Sequence, residues 1–328
     1  MNVAVISLAF LAMLAMMLIG MPIAVSMVLV GIVGGIAAYG TPFMDSIAPV
    51  VWGVQNENLL TCIPLFVLLG ELLLRSGIAD RMYIALSAWL GRMPGGLLHT
   101  NIGSCALFAA TSGSSVATAA TIGTVALPSL CKRGYPMRAS LGSLAAGGTL
   151  GILIPPSVNM IVYGSLTSTS IGKLFIAGII PGIIIALGFI VMIWCYATFA
   201  PHRIMDHAES PAMREEPLMG TAEMLGKSVP ILSLVVLILG GLYSGFFTPT
   251  EAGAVAAVYT FCIAVFVYHE LPLSKVWPII VRSGITTAAI MLVVAGASVL
   301  GFVVTFEQVP QAVATFMLGF SQNPTVIM

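Results

Sequence analysis

Two short polar stretches, each inside a long apolar segment, carry residue types that could hold ligands. The first is Thr111-Ser112-Gly113-Ser114-Ser115, and the second runs from Gly147 to Ser157 and contains Pro155-Pro156. Sodium needs several oxygen ligands in a dry, neutral cage, and hydroxyls and freed backbone carbonyls supply them without a buried charge. The oxygens of both stretches therefore predict one sodium site, with these residues: Ser112, Ser114, Ser115, Thr149, Gly151, Ile154 and Pro156.

An anion site is expected beside the cation site. A helix that restarts after Pro156 has free amides at its first turn, and these suit a carboxylate. The residues predicted to contact such a substrate are Thr111, Gly113, Ser157 and Asn159. No Arg or Lys lies in either stretch, so helix dipoles, bound sodium or a part of the protein outside this sequence must neutralise the anion. A structural alternative stays open: the serines cap helix ends in a packed bundle, and Asn159 hydrogen-bonds between helices.

The elements around these stretches follow from their lengths. The apolar arms 97–110 and 116–130 span about 22 Å each, whereas a crossing there and back needs about 40 apolar residues. We therefore predict a re-entrant helical hairpin at 96–131 with its tip near mid-membrane. The segment 139–171 is long enough to cross once, but its glycines and two prolines must break it at the centre. Irregular backbone at that depth requires surrounding protein or a cavity.

The composition places both elements in a membrane. Only 24 of the 328 residues are Asp, Glu, Lys or Arg, 59% are apolar and the mean hydropathy is +1.08, which excludes an ordinary soluble protein. Twelve basic and twelve acidic residues leave no patch for nucleic acid. Five scattered cysteines without CxxC spacing are expected to be apolar packing residues.

The remaining predicted segments are two helices in 1–40 broken near Gly20-Met21-Pro22, a polar loop at 41–58, a span at 59–74 with a basic stretch after it, a span at 174–200, a hydrophilic linker at 201–227, and spans at 228–246, 251–268 and 283–305.

Basic residues in short loops favour the cytoplasmic side of a membrane. With the N-terminus outside, every Lys and Arg except Lys173 falls on the inner side, so an external N-terminus is predicted. A weak internal repeat is also present. Gly20-Met21-Pro22-Ile23-Ala24 matches Phe247 to Ala252 at an offset of about 227, and Ser76 to Ala79 matches Glu307 to Pro310 at about 231. An odd number of crossings in the first unit predicts that the second is inverted, as in many secondary transporters.

Five stretches together form a recognisable set of motifs: Pro64 to Glu71, Ser76 to Arg81, Ala110 to Thr118, Gly151 to Ser157 and Thr248 to Ala252. In these stretches the sequence resembles the large membrane permease subunit (DctM-like) of tripartite ATP-independent periplasmic (TRAP) transporters. The resemblance implies an all-α polytopic membrane protein of the bacterial inner membrane, with an inverted-repeat, elevator-type fold of the ion transporter superfamily kind. Sodium is the implied coupling ion, and no other cofactor or transition metal is expected. The implied partners are a small four-helix membrane subunit (DctQ-like), a periplasmic substrate-binding protein (DctP-like), the lipid bilayer and a carboxylate substrate, such as a C4-dicarboxylate or sialic acid.

The resemblance also assigns parts to the chain. Family members run to about 430 residues, so the second hairpin and second broken helix are expected to lie beyond Met328, and this sequence carries one of two half-sites. The assigned parts are scaffold helices of repeat 1 at 1–58, the transport part of repeat 1 at 59–171, a scaffold helix at 172–200, a cytoplasmic linker at 201–227, scaffold helices of repeat 2 at 228–282 and the truncated start of its transport part at 283–328.

The carrier has two alternatives. The first is an ion channel or a non-transporting scaffold, although a channel favours a continuous polar ring, and here the polar positions are concentrated in two stretches. An intramembrane enzyme needs a catalytic pair at membrane depth, and none is found, so a non-enzyme is expected. Outside the two stretches, Glu71 is interpreted as an ion-pair partner of Arg75 rather than a proton carrier. Glu251 is interpreted as a helix-capping carboxylate.

Overall fold

A computed structural model describes residues 3–199 and 221–320, and the regular structure of these residues is helical. The first half contains α1 (Val3–Leu18), α2 (Ile23–Tyr39), α3 (Phe43–Gln55), α4 (Cys62–Arg75), α5 (Ile78–Leu90), α6 (Leu97–Ser112), α7 (Ser115–Lys132), α8 (Met137–Leu153) and α9 (Val158–Leu166). The second half contains α10 (Ile171–Phe199), α11 (Thr221–Val235), α12 (Gly241–Tyr243), α13 (Pro249–Cys262), α14 (Val276–Phe306) and α15 (Val309–Phe320). One wide helical turn, Val236–Gly240, joins α11 to α12, and another, Ile263–Val267, extends α13.

Apolar length identifies the spans. Five helical stretches are long and apolar enough to cross a bilayer, namely Asn58–Arg75, Met137–Leu166, Ile171–Phe199, Pro249–Val267 and Leu273–Phe306. Three shorter apolar helices accompany them, at Ser7–Leu18, Ile23–Tyr39 and Ser228–Tyr243. The protein is therefore an all-helical, multi-pass membrane protein.

The predicted chain reversals agree with the helix ends. The N-terminal apolar stretch breaks between α1 and α2, where Gly20 has φ +94° and Pro22 precedes α2. The hairpin arms are α6 and α7, whose outer ends lie within one residue of the predicted limits 96 and 131. The broken helix consists of α8 and α9, separated by Ile154 to Ser157. Glycine and proline thus fix the ends of these helices.

The polar loop predicted at 41–58 is wrong, and two other stretches outside the predicted spans also contain helix. The polar loop at 41–58 is largely α3, and the basic stretch after Arg75 is largely α5. Helix α14 begins at Val276, so Arg282 lies in a helix rather than in the loop before it. Helices α3 and α5 each have an apolar face that packs against the protein, as the buried Phe43 and Met82 show. The polar residues on their other faces lower the mean hydropathy, so neither helix was predicted. The predicted linker lies outside the described residues at 201–220, and its last part, from Thr221, is helical.

The described elements group into two compact units. One comprises the residues up to Asn58 together with those from Thr286, and the other comprises the residues from Leu59 to Ile285. In the first unit, α2 packs on α14, where an added Cβ at Gly31 would lie 3.0 Å from Val299 Cγ1. Gln55 Nε2 also donates to Met291 O at 2.8 Å. In the second unit, α6 and α7 pack against α8, and α4 packs against α13.

Candidate functional site at the hairpin tip and helix break

The hairpin reverses at Gly113. This residue ends α6 with a left-handed φ of +65°, which glycine adopts without a steric penalty. Ser114 is extended and caps α7, because its Oγ accepts the Ala117 N–H at 3.3 Å. Thr118 Oγ1 donates to Ser114 O at 2.7 Å and lies 3.1 Å from Ser112 Oγ. The tip is therefore a tight turn whose hydroxyls face one another across the two arms.

The helix break presents a carbonyl end and an amide end. Helix α8 ends at Leu153, and Ile154 is extended with φ −81° and ψ 121°. Pro155 and Pro156 are joined by a cis peptide bond and are buried. Ser157 precedes α9 in an extended conformation and is fully buried, and its Oγ finds no hydrogen-bond partner among residues 3–199 and 221–320. A buried hydroxyl without a partner is unusual, and a ligand could satisfy it.

The tip and the break touch through their backbones. The Val158 N–H donates to Gly113 O at 3.2 Å, so the first amide of α9 is held by the hairpin tip. An added Cβ at Gly113 would lie 2.6 Å from Pro156 O. An added Cβ at Gly151 would lie 2.6 Å from Ser114 O and 2.8 Å from Ser115 Cα. The two predicted stretches therefore form one junction, and glycine at 113 and 151 permits this close approach.

The structure places most of the predicted site residues in or beside this junction. Thr111, Ser112, Gly113, Gly151, Pro156 and Ser157 are buried, whereas Ser114, Ser115 and Ile154 are partly exposed. Two predicted side chains lie apart. Thr149 is exposed and donates to Ala146 O at 2.6 Å, and it lies on the face of α8 opposite Gly148 and Gly151. Asn159 is exposed in the first turn of α9.

Sequence reasoning missed two neighbours of the tip. Thr118 is fully buried and bonds to both arms; its position four residues after Ser114 on a helix could have identified it. Gly70 of α4 is the second neighbour, because an added Cβ there would lie 3.7 Å from Ser112 O. No local signal in the sequence relates Gly70 to a tip some forty residues later.

Two acidic side chains were given structural roles from the sequence. Glu251 has the predicted role, because Thr248 and Glu251 form a reciprocal capping box at the start of α13. The predicted ion pair between Glu71 and Arg75 is wrong. Glu71 Oε2 and Arg75 Nε are both buried without a hydrogen-bond partner in the described part of the chain. An i, i+4 spacing alone stabilises such a pair only slightly, so it does not bring the two groups together.

An ion pair shows that two segments distant in sequence lie at the same end of the second unit. Arg81 of α5 donates to Glu270 Oε1 at 2.8 Å, and its guanidinium lies 3.9 Å from the centre of the Tyr268 ring. Burial, and then the nearby Glu270 carboxylate, raise the pKa of the Asp80 carboxyl above its usual value. The start of α5 and the segment after α13 therefore lie at the same end of this unit.

Comparisons with known proteins show which family the chain belongs to. The family model described as "Tripartite ATP-independent periplasmic transporter, DctM component" matches residues 10–328. A C4-dicarboxylate TRAP transporter large permease protein, DctM, from Pseudomonas aeruginosa is 39% identical over 86% of this chain and 64% of its own length. A protein of the same name from Vibrio cholerae is 33% identical over 98% of this chain and 74% of its own length. A sialic acid TRAP transporter large permease protein, SiaM, from Vibrio cholerae is 34% identical over 96% of this chain and 72% of its own length.

The fold and the candidate site define a class of polytopic helical membrane proteins in which the tip of a helical hairpin contacts a broken helix. Within that class, the chain belongs to the DctM family of TRAP transporter permeases. Its relatives are transporter permeases and not enzymes. The chain spans 64% of the length of the Pseudomonas relative.

Proposed function

We propose that the chain is the large membrane subunit of a sodium-driven secondary transporter that imports small carboxylates by an elevator mechanism. The observation that carries this proposal is the junction between the hairpin tip and the helix break. It combines a helix end with freed carbonyls, a helix start with amides, and a fully buried Ser157 hydroxyl that has no partner among the described residues. Opposed helix ends of this kind suit a cation beside an anion.

Sodium is the ion that this chemistry favours. The ligands on offer are neutral hydroxyls and backbone carbonyls, from Ser112, Ser114, Ser115, Gly151, Ile154 and Pro156, and no acidic side chain occurs between Asp80 and Asp206. A neutral cage of oxygens needs no proton to be released before a monovalent cation binds. Thr149 contributes through its backbone at most, because its side chain is exposed and lies on a different face of α8 from Gly148 and Gly151.

A carboxylate is the substrate class that fits the amide end. The first turn of α9, beside Thr111, Gly113 and Ser157, offers the positive end of a helix, which attracts an anionic group. Two of the relatives named above are called C4-dicarboxylate transporters and one a sialic acid transporter. Their identities to this chain, 39%, 33% and 34%, do not separate these substrates. The proposal therefore stops at small organic acids.

The internal repeat supports an inverted, elevator-type architecture. The left-handed residues Gly40 and His269 lie 229 residues apart, and Gly77 and Gln308 lie 231 apart. The same offset relates two helix contacts. Gly296 of α14 approaches Ala24 of α2, and Gly253 of α13 approaches Phe66 of α4. Residues 24 and 253 lie 229 apart and residues 66 and 296 lie 230 apart, so both contacts join corresponding positions of the two repeats. The proposed scaffold and transport parts keep the boundaries given from the sequence.

The proposed partners follow from membership of the family. A periplasmic binding protein would deliver the carboxylate, and a small membrane subunit would accompany the permease in the bacterial inner membrane. The N-terminus is proposed to face the periplasm, because that orientation places every basic residue except Lys173 on the inner side.

Ser157 provides the test. Uptake of candidate carboxylates is measured in proteoliposomes that contain the full permease, its small subunit and its binding protein, with and without an inward sodium gradient. Ser157→Ala is expected to reduce sodium-driven uptake at least tenfold, by the loss of one ligand to a charged group. Its thermal stability should stay level or rise, because a buried hydroxyl without a partner is removed.

The matched control is Thr260→Val on α13, which removes another fully buried hydroxyl that has no partner in the described residues. This variant should leave uptake unchanged. Uptake by the unaltered protein that is indifferent to the sodium gradient contradicts sodium coupling. Equal uptake by Ser157→Ala and Thr260→Val removes Ser157 from the site.

A further inference from the structure

A buried hydrogen-bond network lies at the base of the hairpin, far from its tip. Asn101 of α6 is fully buried. Its Oδ1 accepts the Tyr83 hydroxyl of α5 at 2.9 Å, and its Nδ2 donates to Ser143 Oγ of α8 at 2.8 Å. Ser143 Oγ donates onward to Ser140 O at 2.8 Å. One amide side chain thus joins three helices.

Such a network specifies position in a way that apolar packing does not. Apolar side chains tolerate small shifts, whereas a buried amide that loses its partners leaves unsatisfied polar groups at a considerable free-energy cost. Sliding α6 by one residue moves it about 1.5 Å along its axis and rotates it by about 100°. Either motion breaks both bonds to Asn101. A single buried Asn can fix the register of packed helices for this reason.

The register at the base determines contacts at the tip. Ser112 lies eleven residues after Asn101 on the same unbroken helix, a distance of about 16 Å. At the tip, α8 approaches backbone to backbone, since an added Cβ at Gly151 would lie 2.6 Å from Ser114 O. Contacts this close tolerate little displacement. An error in register at Asn101 is therefore carried to the junction along rigid helices.

A second tether lies at the same end. Tyr135, in the connection from α7 to α8, accepts the Leu97 N–H at 3.1 Å, so the first amide of α6 is also held. Tyr135 itself is buried. The two tethers attach both the beginning of α6 and its second turn to neighbouring segments.

We infer that Asn101 is a positioning residue of the junction: it sets the axial register of the hairpin against α5 and α8, and so places Ser112 and Gly113 against the helix break. The link to ion binding rests on the proposed function. Asn101 touches neither ion nor substrate and acts through α6. Tyr83 and Ser143 share this role, because each supplies one of its two bonds.

The test compares three variants with a control in the full-length protein. Asn101→Leu removes both bonds with a side chain of the same branching and heavy-atom number, and the triple variant Tyr83→Phe, Asn101→Leu, Ser143→Ala removes the whole network without leaving unsatisfied atoms. Tyr83→Phe alone is the mild variant, which remains informative if Asn101→Leu does not fold. The control is Ile102→Ala, which empties a fully buried position of the same helix but breaks no interhelical hydrogen bond.

Two measurements separate position from stability. The half-saturating sodium concentration for uptake should rise about tenfold in Asn101→Leu and several-fold in Tyr83→Phe, while the maximal rate at saturating sodium is largely retained. In the triple variant thermal stability should recover but sodium affinity should not, because no bond then specifies register. Ile102→Ala should lose stability with unchanged sodium affinity.

The second measurement needs no ion. Hydrogen exchange of the segment that contains the Val158 amide reports its bond to Gly113 O, and protection should fall in Asn101→Leu but not in Ile102→Ala. If uptake by the unaltered protein ignores sodium, sodium coupling fails while the exchange result still decides the role of Asn101. Recovery of both sodium affinity and Val158 protection in the triple variant overturns the inference, because the network then contributes stability alone.

Discussion

Gly151 shows how a single missing side chain permits the proposed site. The residue is buried, and an added Cβ would meet Ser114 O and Ser115 Cα, both of which belong to the backbone. Backbone atoms cannot rotate away as a flexible side chain can. The hairpin tip must therefore move if any other residue replaces this glycine.

The variant Gly151→Ala should weaken sodium binding. An overpacking penalty of about 1 to 3 kcal/mol, expressed as weaker binding, corresponds to an increase of roughly 5- to 150-fold in the half-saturating sodium concentration. Sodium-dependent uptake by the reconstituted transporter measures the effect. Gly142→Ala on the same helix is the control, because nothing lies within 4 Å of the added Cβ. Equal sodium affinity in both variants contradicts the close approach at Gly151.

The tip and the break could be predicted because glycine and proline act locally. Gly113 and Pro155-Pro156 change the backbone at their own positions, so short sequence windows contain the information. Asn101 could not be identified this way, because its partner Ser143 lies 42 residues away and an isolated Asn in an apolar run has no local signal. The exposure of Thr149 could not be predicted either, because nothing in the local sequence distinguishes it from the buried residues around it.

At the scale of elements, α5 shows why hydropathy alone misassigns short helices. Its buried residues Ile78, Ala79, Met82, Tyr83 and Ala85 follow helical spacing. The basic residues around them lower the mean hydropathy, so no span was predicted there although the helical spacing was present. Helix α3 was missed because Asp45 and the polar residues that follow it from Gln55 favoured a loop. The strongly apolar α10 left no ambiguity.

The start of α13 depends on a capping box. Thr248 Oγ1 accepts the Glu251 N–H at 3.3 Å, and Glu251 Oε2 accepts the Thr248 N–H at 2.8 Å. Thr248→Ala should lower the free energy of unfolding by about 1 kcal/mol, because one helix-end amide loses its acceptor. Denaturant unfolding of the purified protein in detergent measures this loss.

Thr250→Ala is the control for this prediction, since Thr250 lies in the same first turn but outside the capping box. It should be neutral or slightly stabilising, because alanine has the higher helix propensity. A loss in Thr250→Ala as large as that in Thr248→Ala would show that the turn responds to any change, and not to the cap.

At the scale of the whole molecule, the ion pair between Arg81 and Glu270 limits the topology of the second unit. Both residues lie at one end of that unit. The chain between them must therefore cross the membrane an even number of times. Three long apolar stretches lie between them, at Met137–Leu166, Ile171–Phe199 and Pro249–Val267, together with the shorter apolar helix Ser228–Tyr243. We propose that the shorter helix also crosses, which gives four crossings, and that the hairpin enters and leaves on the same side and adds none. A hairpin whose arms together made one crossing would then give an odd number.

This parity leads to a prediction about orientation. Ser168, between α9 and α10, and Ser274, before α14, are both exposed serines separated by three of these crossings, so they should lie on opposite sides. With basic residues inside, Ser168 should face the periplasm and Ser274 the cytoplasm. Each is replaced by Cys after all natural cysteines, including the five in this sequence, have been changed to Ala or Ser. A membrane-impermeant maleimide should label Ser168→Cys in intact spheroplasts and Ser274→Cys only after permeabilisation. The reverse pattern would invert the proposed orientation while preserving the parity, whereas labelling of both positions from outside would contradict the four-crossing count itself.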